Sequence, residues 1–80
     1  MVDKLSKKEK DILQFIRSQR HKTTVREISQ GLALDSSEVE VFVQGMLGRD
    51  LIRVVKGKTS SDDGYYTNPE FREKIFELLG

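Results

Sequence analysis

The stretch Ile28-Ser29-Gln30-Gly31-Leu32-Ala33-Leu34-Asp35, with Val39 in the segment that follows, decides how this chain folds. Ile28 and Leu32 lie one helical turn apart and share a face. Gly31 then offers the left-handed backbone on which helices commonly stop. Leu34 returns an apolar residue directly after the turn. Asp35 is a good N-cap for a new helix, and Glu38 gives it a close variant of the capping box. Ser29 is small where the two helices cross, Ala33 is small in the turn, and Val39 opens the buried stripe of the second helix of the pair.

Outward from this pair the same signals recur. Upstream, Thr24 with Glu27 forms a capping box, so a short helix over residues 25 to 31 buries Val25, Ile28 and Leu32. Ser6 with Glu9 opens a first helix whose apolar residues Ile12, Leu13, Phe15 and Ile16, with Leu5 ahead of the cap, repeat at helical period to about Arg20. Downstream, the helix capped by Asp35 runs to Arg49, with Val39, Phe42, Val43, Met46 and Leu47 on its inner side. Leu51 to Lys56 is β-branched and extended, Gly57 to Gly64 is polar and turn-rich, and Tyr65-Tyr66-Thr67 is again strand-like, which predicts a hairpin with a loose tip. One of the two adjacent tyrosines is expected to pack inward and the other to lie exposed. Asn68-Pro69 caps a fourth helix lined by Phe71, Ile75, Leu78 and Leu79. Phe76 falls off that stripe and has two readings: a contact with a second copy of the chain, or packing under the first helix beside Leu5. Repeats and linkers are absent, so residues 1 to 80 read as one domain of α+β class, mostly helical, with a three-helix core, a hairpin and a C-terminal fourth helix.

Composition narrows the chemistry. In 80 residues there is no cysteine, which excludes disulfides, zinc-thiolate sites and thiol nucleophiles and fits a reducing cytoplasmic setting. Apolar runs such as Val41-Phe42-Val43 are far shorter than the ~18 residues of a membrane span, and the charged start has no signal-peptide core. No membrane partner is expected. His21 stands alone without a second imidazole, and Asp62-Asp63 falls in a turn, so neither a metal site, a cofactor nor a catalytic centre is expected. Fourteen basic residues face 13 acidic ones for a net charge of +1, so any attraction to a polyanion depends on distribution rather than total.

The order helix, short helix, turn, helix, hairpin, helix, with the residues from Ile28 to Val39 quoted above, resembles the winged helix-turn-helix superfamily over nearly the whole chain. Ala33 and Asp50 stand where many members carry glycine. The resemblance implies a non-catalytic module for double-stranded DNA, such as a small transcription regulator, with the third helix in the major groove and the wing on the phosphate backbone. With Val39 at the centre of the buried stripe, Ser37, Glu40, Val41, Gln44, Gly45 and Gly48 face outward, and none is a cation. On that reading Gln44 suits adenine, Glu40 suits cytosine, and Ser36, Ser37 and the helix amino terminus suit a phosphate. Thr24 and Val41 complete the expected interface. The cations are peripheral: Arg20, His21, Lys22 and Arg26 around the second helix, and Arg49, Arg53, Lys56 and Lys58 leading into the wing. Asp62 and Asp63 are expected to oppose Lys56 and Lys58, and Glu38 and Glu40 to meet a polyanion unfavourably. The run Lys4, Lys7, Lys8 and Lys10 reads as a solvated face. A second reading uses the outer surface of the third helix, around Val41, Gly45 and Gly48, for a protein partner, and homodimers are common among such modules.

Overall fold

The computed structural model describes residues 5–59 and 62–79; Lys4 of the lysine run lies outside the described residues. Three helices, α1 (Lys7–Ser18), α2 (Val25–Leu32) and α3 (Ser36–Gly48), precede a hairpin of β1 (Ile52–Val55) and β2 (Gly64–Thr67), and a 3-10 turn (Pro69–Phe71) leads into α4 (Arg72–Leu79). Ile12, Leu13 and Ile16 from α1, Ile28 from α2, and Val39, Val43 and Met46 from α3 are buried in one cluster with Leu51, Ile52, Tyr65 and Ile75. The 3.6-residue periodicity of each helix thus points at a shared core, with the hairpin and α4 closing over α1. Among the described residues no helix is long and apolar enough to cross a membrane.

Two capping boxes form as expected. Ser6 and Glu9 exchange hydrogen bonds at the start of α1, and Thr24 and Glu27 do so at the start of α2. Asp35 caps α3 differently. Its carboxylate accepts from the Ser37 amide and hydroxyl at 3.1 and 3.0 Å, while Glu38 reaches across to Lys8 on α1. Helix α1 ends at Ser18 rather than near Arg20, because Gln19 turns to extended backbone.

Gly31 does not end α2. The helix continues to Leu32, and Ala33 takes the left-handed conformation, φ 55° and ψ 44°. Gly31 serves a close approach instead: a Cβ there would lie 2.5 Å from Phe15 Cε2, so only glycine lets α2 settle on the α1 ring. The turn into α3 is closed by Ser29, whose hydroxyl donates to the Leu34 carbonyl while the Leu34 amide donates to the Ser29 carbonyl at 3.0 Å. Ser29 is therefore a turn clamp as well as a small residue at a crossing.

The hairpin is antiparallel, with Ile52 opposite Thr67, Arg53 opposite Tyr66, Val54 opposite Tyr65 and Val55 opposite Gly64. A further rung is supplied by Thr23, fully buried, whose amide and carbonyl each bond Tyr65 at 2.8 Å. This ties the loop before α2 to the far side of β2. Tyr65 packs inward at 4% exposure and Tyr66 lies outward at 38%. Asp50 turns the chain from α3 into β1 at φ 60°, a conformation aspartate tolerates. Asn68 locks that corner from below, its Nδ2 donating to the Asp50 carbonyl at 2.8 Å and its Oδ1 accepting from the Glu70 amide at 3.0 Å. Phe76 does not pack beside Leu5: it stays 63% exposed, with the Arg17 guanidinium 5.6 Å from its ring centre.

Candidate nucleic-acid interface

Alternation along the strands sorts the wing residues onto two faces. Val54 lies opposite inward Tyr65, so Lys56, two residues on, shares that face, whereas Arg53 lies opposite outward Tyr66. The inward-facing set meets α2 and α3 along a groove of about 560 Å³ whose walls include Arg26, Gln30, Ser36, Glu40, Gln44 and Lys56. Five of the residues expected from the sequence, Arg26, Ser36, Glu40, Gln44 and Lys56, are thus brought together. Gln30 was missed, although its position one turn after Arg26 on an exposed face is a readable signal. The buried Tyr65 also reaches this groove; burial, and secondarily the negative charges of Asp63 and Glu40, push its phenol up from the ordinary tyrosine value.

Other expected residues have different places. Thr24 is spent on its cap, its hydroxyl accepting from the Glu27 amide at 3.2 Å. Ser37 is on the outer face of α3, but its hydroxyl is held by Asp35. Val41 stands out at 70% exposure, the most exposed large apolar residue described. Lys22 runs its stem over Gly64, where a Cβ would come 2.6 Å from Lys22 Cγ and Cδ; the missing side chain leaves room for the lysine to lie along the wing. Lys58 is exposed near the tip. A larger cavity, about 630 Å³, opens on the other face of the hairpin between Arg17, Tyr66, Arg72 and the Asn68 corner.

The charge pattern differs from the expectation at four points. Arg53 is tied down on the outer face, with its Nε donating to Asn68 Oδ1 at 3.1 Å and its Nη2 paired to Glu70. Arg49 lies 3.9 Å from Glu9. Glu38, one of the two acids expected to oppose a polyanion, is turned to Lys8, while Glu40 stays in the groove. Asp63, only 7% exposed, is a strut rather than a repulsive tip: it accepts from the Gly57 amide at 2.9 Å and pairs with Lys56 at 3.4 Å. The Gly57 amide, and with it the Lys56 ammonium, hold its carboxyl below the usual carboxylate range against the opposing effect of burial. Lys22, Arg26 and Lys58 form no ion pair with a described residue, and Lys56 keeps 79% of its side chain exposed despite its pair.

A two-helix turn with a clamped corner, a third helix presented beside a hairpin, and a strand rung closing the hairpin on the loop before α2 define a winged helix-turn-helix. Among solved structures the chain is similar to MarR of Staphylococcus aureus in complex with salicylate and kanamycin, with a TM-score of 0.80 and 21% identity over 94% of this chain. The chain spans about half the length of that protein, 49% of it. No family model matches the sequence, and no curated protein matches it.

Proposed function

We propose that this domain, residues 1 to 80, is a non-catalytic, cytoplasmic double-stranded DNA-binding module of a transcription regulator. In this reading α3 enters the major groove and the wing lies along the adjacent phosphates. The observation that carries it is the groove between α2, α3 and the hairpin, in which Arg26 and Lys56 flank Glu40, Gln44 and Ser36. That arrangement suits two kinds of contact at once: cations at the rim for phosphates and planar acceptor or amide groups within for base edges. Gln44 suits adenine and Glu40 suits cytosine, with Lys22, Lys58 and the Ser36 hydroxyl on phosphates. Because the cations sit at the rim and α3 itself offers none outward, binding is led by the backbone and is modest in sequence preference.

The test is a titration of the protein with an arbitrary duplex at low and at high salt, following backbone amide signals. Perturbations centred on Gln44, Lys56 and Lys58 that fade with salt are expected. Unchanged spectra at low salt and high protein concentration overturn the reading. A second reading, a winged helix for a protein partner or a second copy, is favoured by two exposed apolar residues, Val41 on α3 and Phe76 on α4; it predicts the latter outcome, with concentration-dependent self-association if Phe76 is the contact.

A further inference from the structure

Val41 has no role in the fold, and the surface around it is unusually bare. On a helix at about 100° per residue, Ser37, Val41, Gln44 and Gly48 fall on one stripe opposite buried Val39. Ser37 is occupied by Asp35, so the stripe presents two free side chains, the Val41 methyls and the Gln44 amide. The flanking glycines are not required by the protein's own packing: a Cβ at Gly45 or Gly48 would meet nothing within 4 Å. Glycine inside a helix costs about 1 kcal/mol relative to alanine, so Gly45 is a cost without an internal return. Together these leave Val41 raised above a surface that another body can approach to backbone distance. One valine among polar and bare positions is too small an apolar patch for the core of a protein interface, which needs aromatic or clustered anchors. The nearby cations, Arg26 and Lys56 in the groove with Lys22 along the wing, favour a polyanion.

Resting on the DNA reading above, we infer that Val41 is a specificity residue that packs on the C5-methyl group of thymine, beside an adenine read by Gln44, and so biases the domain toward A·T pairs. Thymine is the base that presents a methyl group in the major groove, and a small aliphatic side chain is a natural contact for it. Gln44, about 60° around the helix and one turn further on, is placed for the N6 and N7 edge of an adenine in the same or the next pair.

The experiment compares alternating dA-dT duplex with alternating dA-dU duplex, which differ only by the methyl group, at one low salt concentration. Desolvating one methyl is worth about a fourfold change in affinity, so the protein binds the dA-dT duplex about fourfold more tightly. Val41→Ser, at an exposed site and with similar helix propensity, keeps its helical circular dichroism and binds both duplexes equally, at the level the unaltered protein shows on dA-dU. Equal binding of both duplexes by the unaltered protein overturns the inference while leaving DNA binding intact. So does a Val41→Ser protein that retains the preference, since the methyl is then sensed elsewhere. No binding to either duplex removes the DNA reading itself.

Discussion

The wing offers a sharp test because three of its cations, close in sequence, are put to opposite uses. Lys56 and Lys58 are available to a ligand, whereas Arg53 is consumed by Asn68 and Glu70. If Lys22, Arg26, Lys56 and Lys58 each neutralise one phosphate, log affinity falls with log salt at a slope of about −3.6, and affinity drops about 150-fold between 50 and 200 mM salt. Changing Lys56 and Lys58 together to alanine halves the slope to about −1.8, so that the same salt step costs only about 12-fold. Arg53→Ala leaves the slope near −3.6 but lowers the melting temperature, because it strips a hydrogen bond from the Asn68 corner that joins α3, β1 and α4; about 1 kcal/mol is at stake. The assay is fluorescence anisotropy of a labelled duplex across a salt series, with thermal unfolding followed in parallel. An Arg53→Ala protein that loses about one unit of slope with unchanged stability would refute the reasoning, as would a Lys56, Lys58 double variant that keeps the full slope.

Gly31→Ala in α2 sets a helix-propensity gain of about 1 kcal/mol against an overpacking cost of about 2 kcal/mol where the new methyl meets Phe15, and so destabilises by about 1 kcal/mol. In a Phe15→Ala background the same change stabilises by about 1 kcal/mol; denaturant unfolding reads both, and the absence of a sign reversal would show that the ring does not hold the position. At the wing, the folded Asp63 carboxyl lies below its unfolded value, so its contribution to the tip is complete above the unfolded pKa and is lost as pH falls through the folded one. The Gly57 amide resonance should therefore titrate with a midpoint under 3.8, and a midpoint at or above that value contradicts the strut.

Sequence periodicity carried the fold because α1, α2 and α3 each turn an apolar face to the core and begin with a local hydrogen-bonding signal. Ile12, Leu13 and Ile16, or Val39, Val43 and Met46, can be read without knowing what they touch. Contacts distant in sequence escaped that reading. Thr23 is followed at once by the cap and first residue of α2, Thr24 and Val25, which leaves no room for a period of two to register, yet it supplies the rung that fastens the wing. Gly31 is next to a turn and locally signals nothing more than that turn; the ring that requires it sits sixteen positions upstream. Ala33 then had to take the left-handed position although alanine gains nothing from it. The backbone geometry of the corner is set by the packing of α2 on α1, and the residue at the corner follows.

Which residues gather in the groove was legible in part, five of those expected, and which charges are paired was not. Cations and acids were counted from the sequence as if each faced solvent, and on that count the acids weakened the case for a polyanion. Pairing redistributes them. Glu38 is drawn to Lys8 on α1, Glu9 lies by Arg49, Glu70 holds Arg53, and Asp63 stiffens the tip while its partner Lys56 stays largely exposed. Four carboxylates are thereby engaged away from the outer stripe of α3, Glu40 stays in the groove, and Arg26 and Lys56 are the cations that line it. Part of this was recoverable from alternation alone: residues 53 and 56 have opposite parity in a strand, so one of the two must leave the groove. Which one leaves depends on where Asn68 and Glu70 arrive from, and that is a property of the turn into α4. A nearly neutral chain can in this way present cations at the rim of a groove whose floor carries the Glu40 carboxylate and the Gln44 amide, and under the DNA reading proposed above that pair, with Val41 beside it, faces the bases.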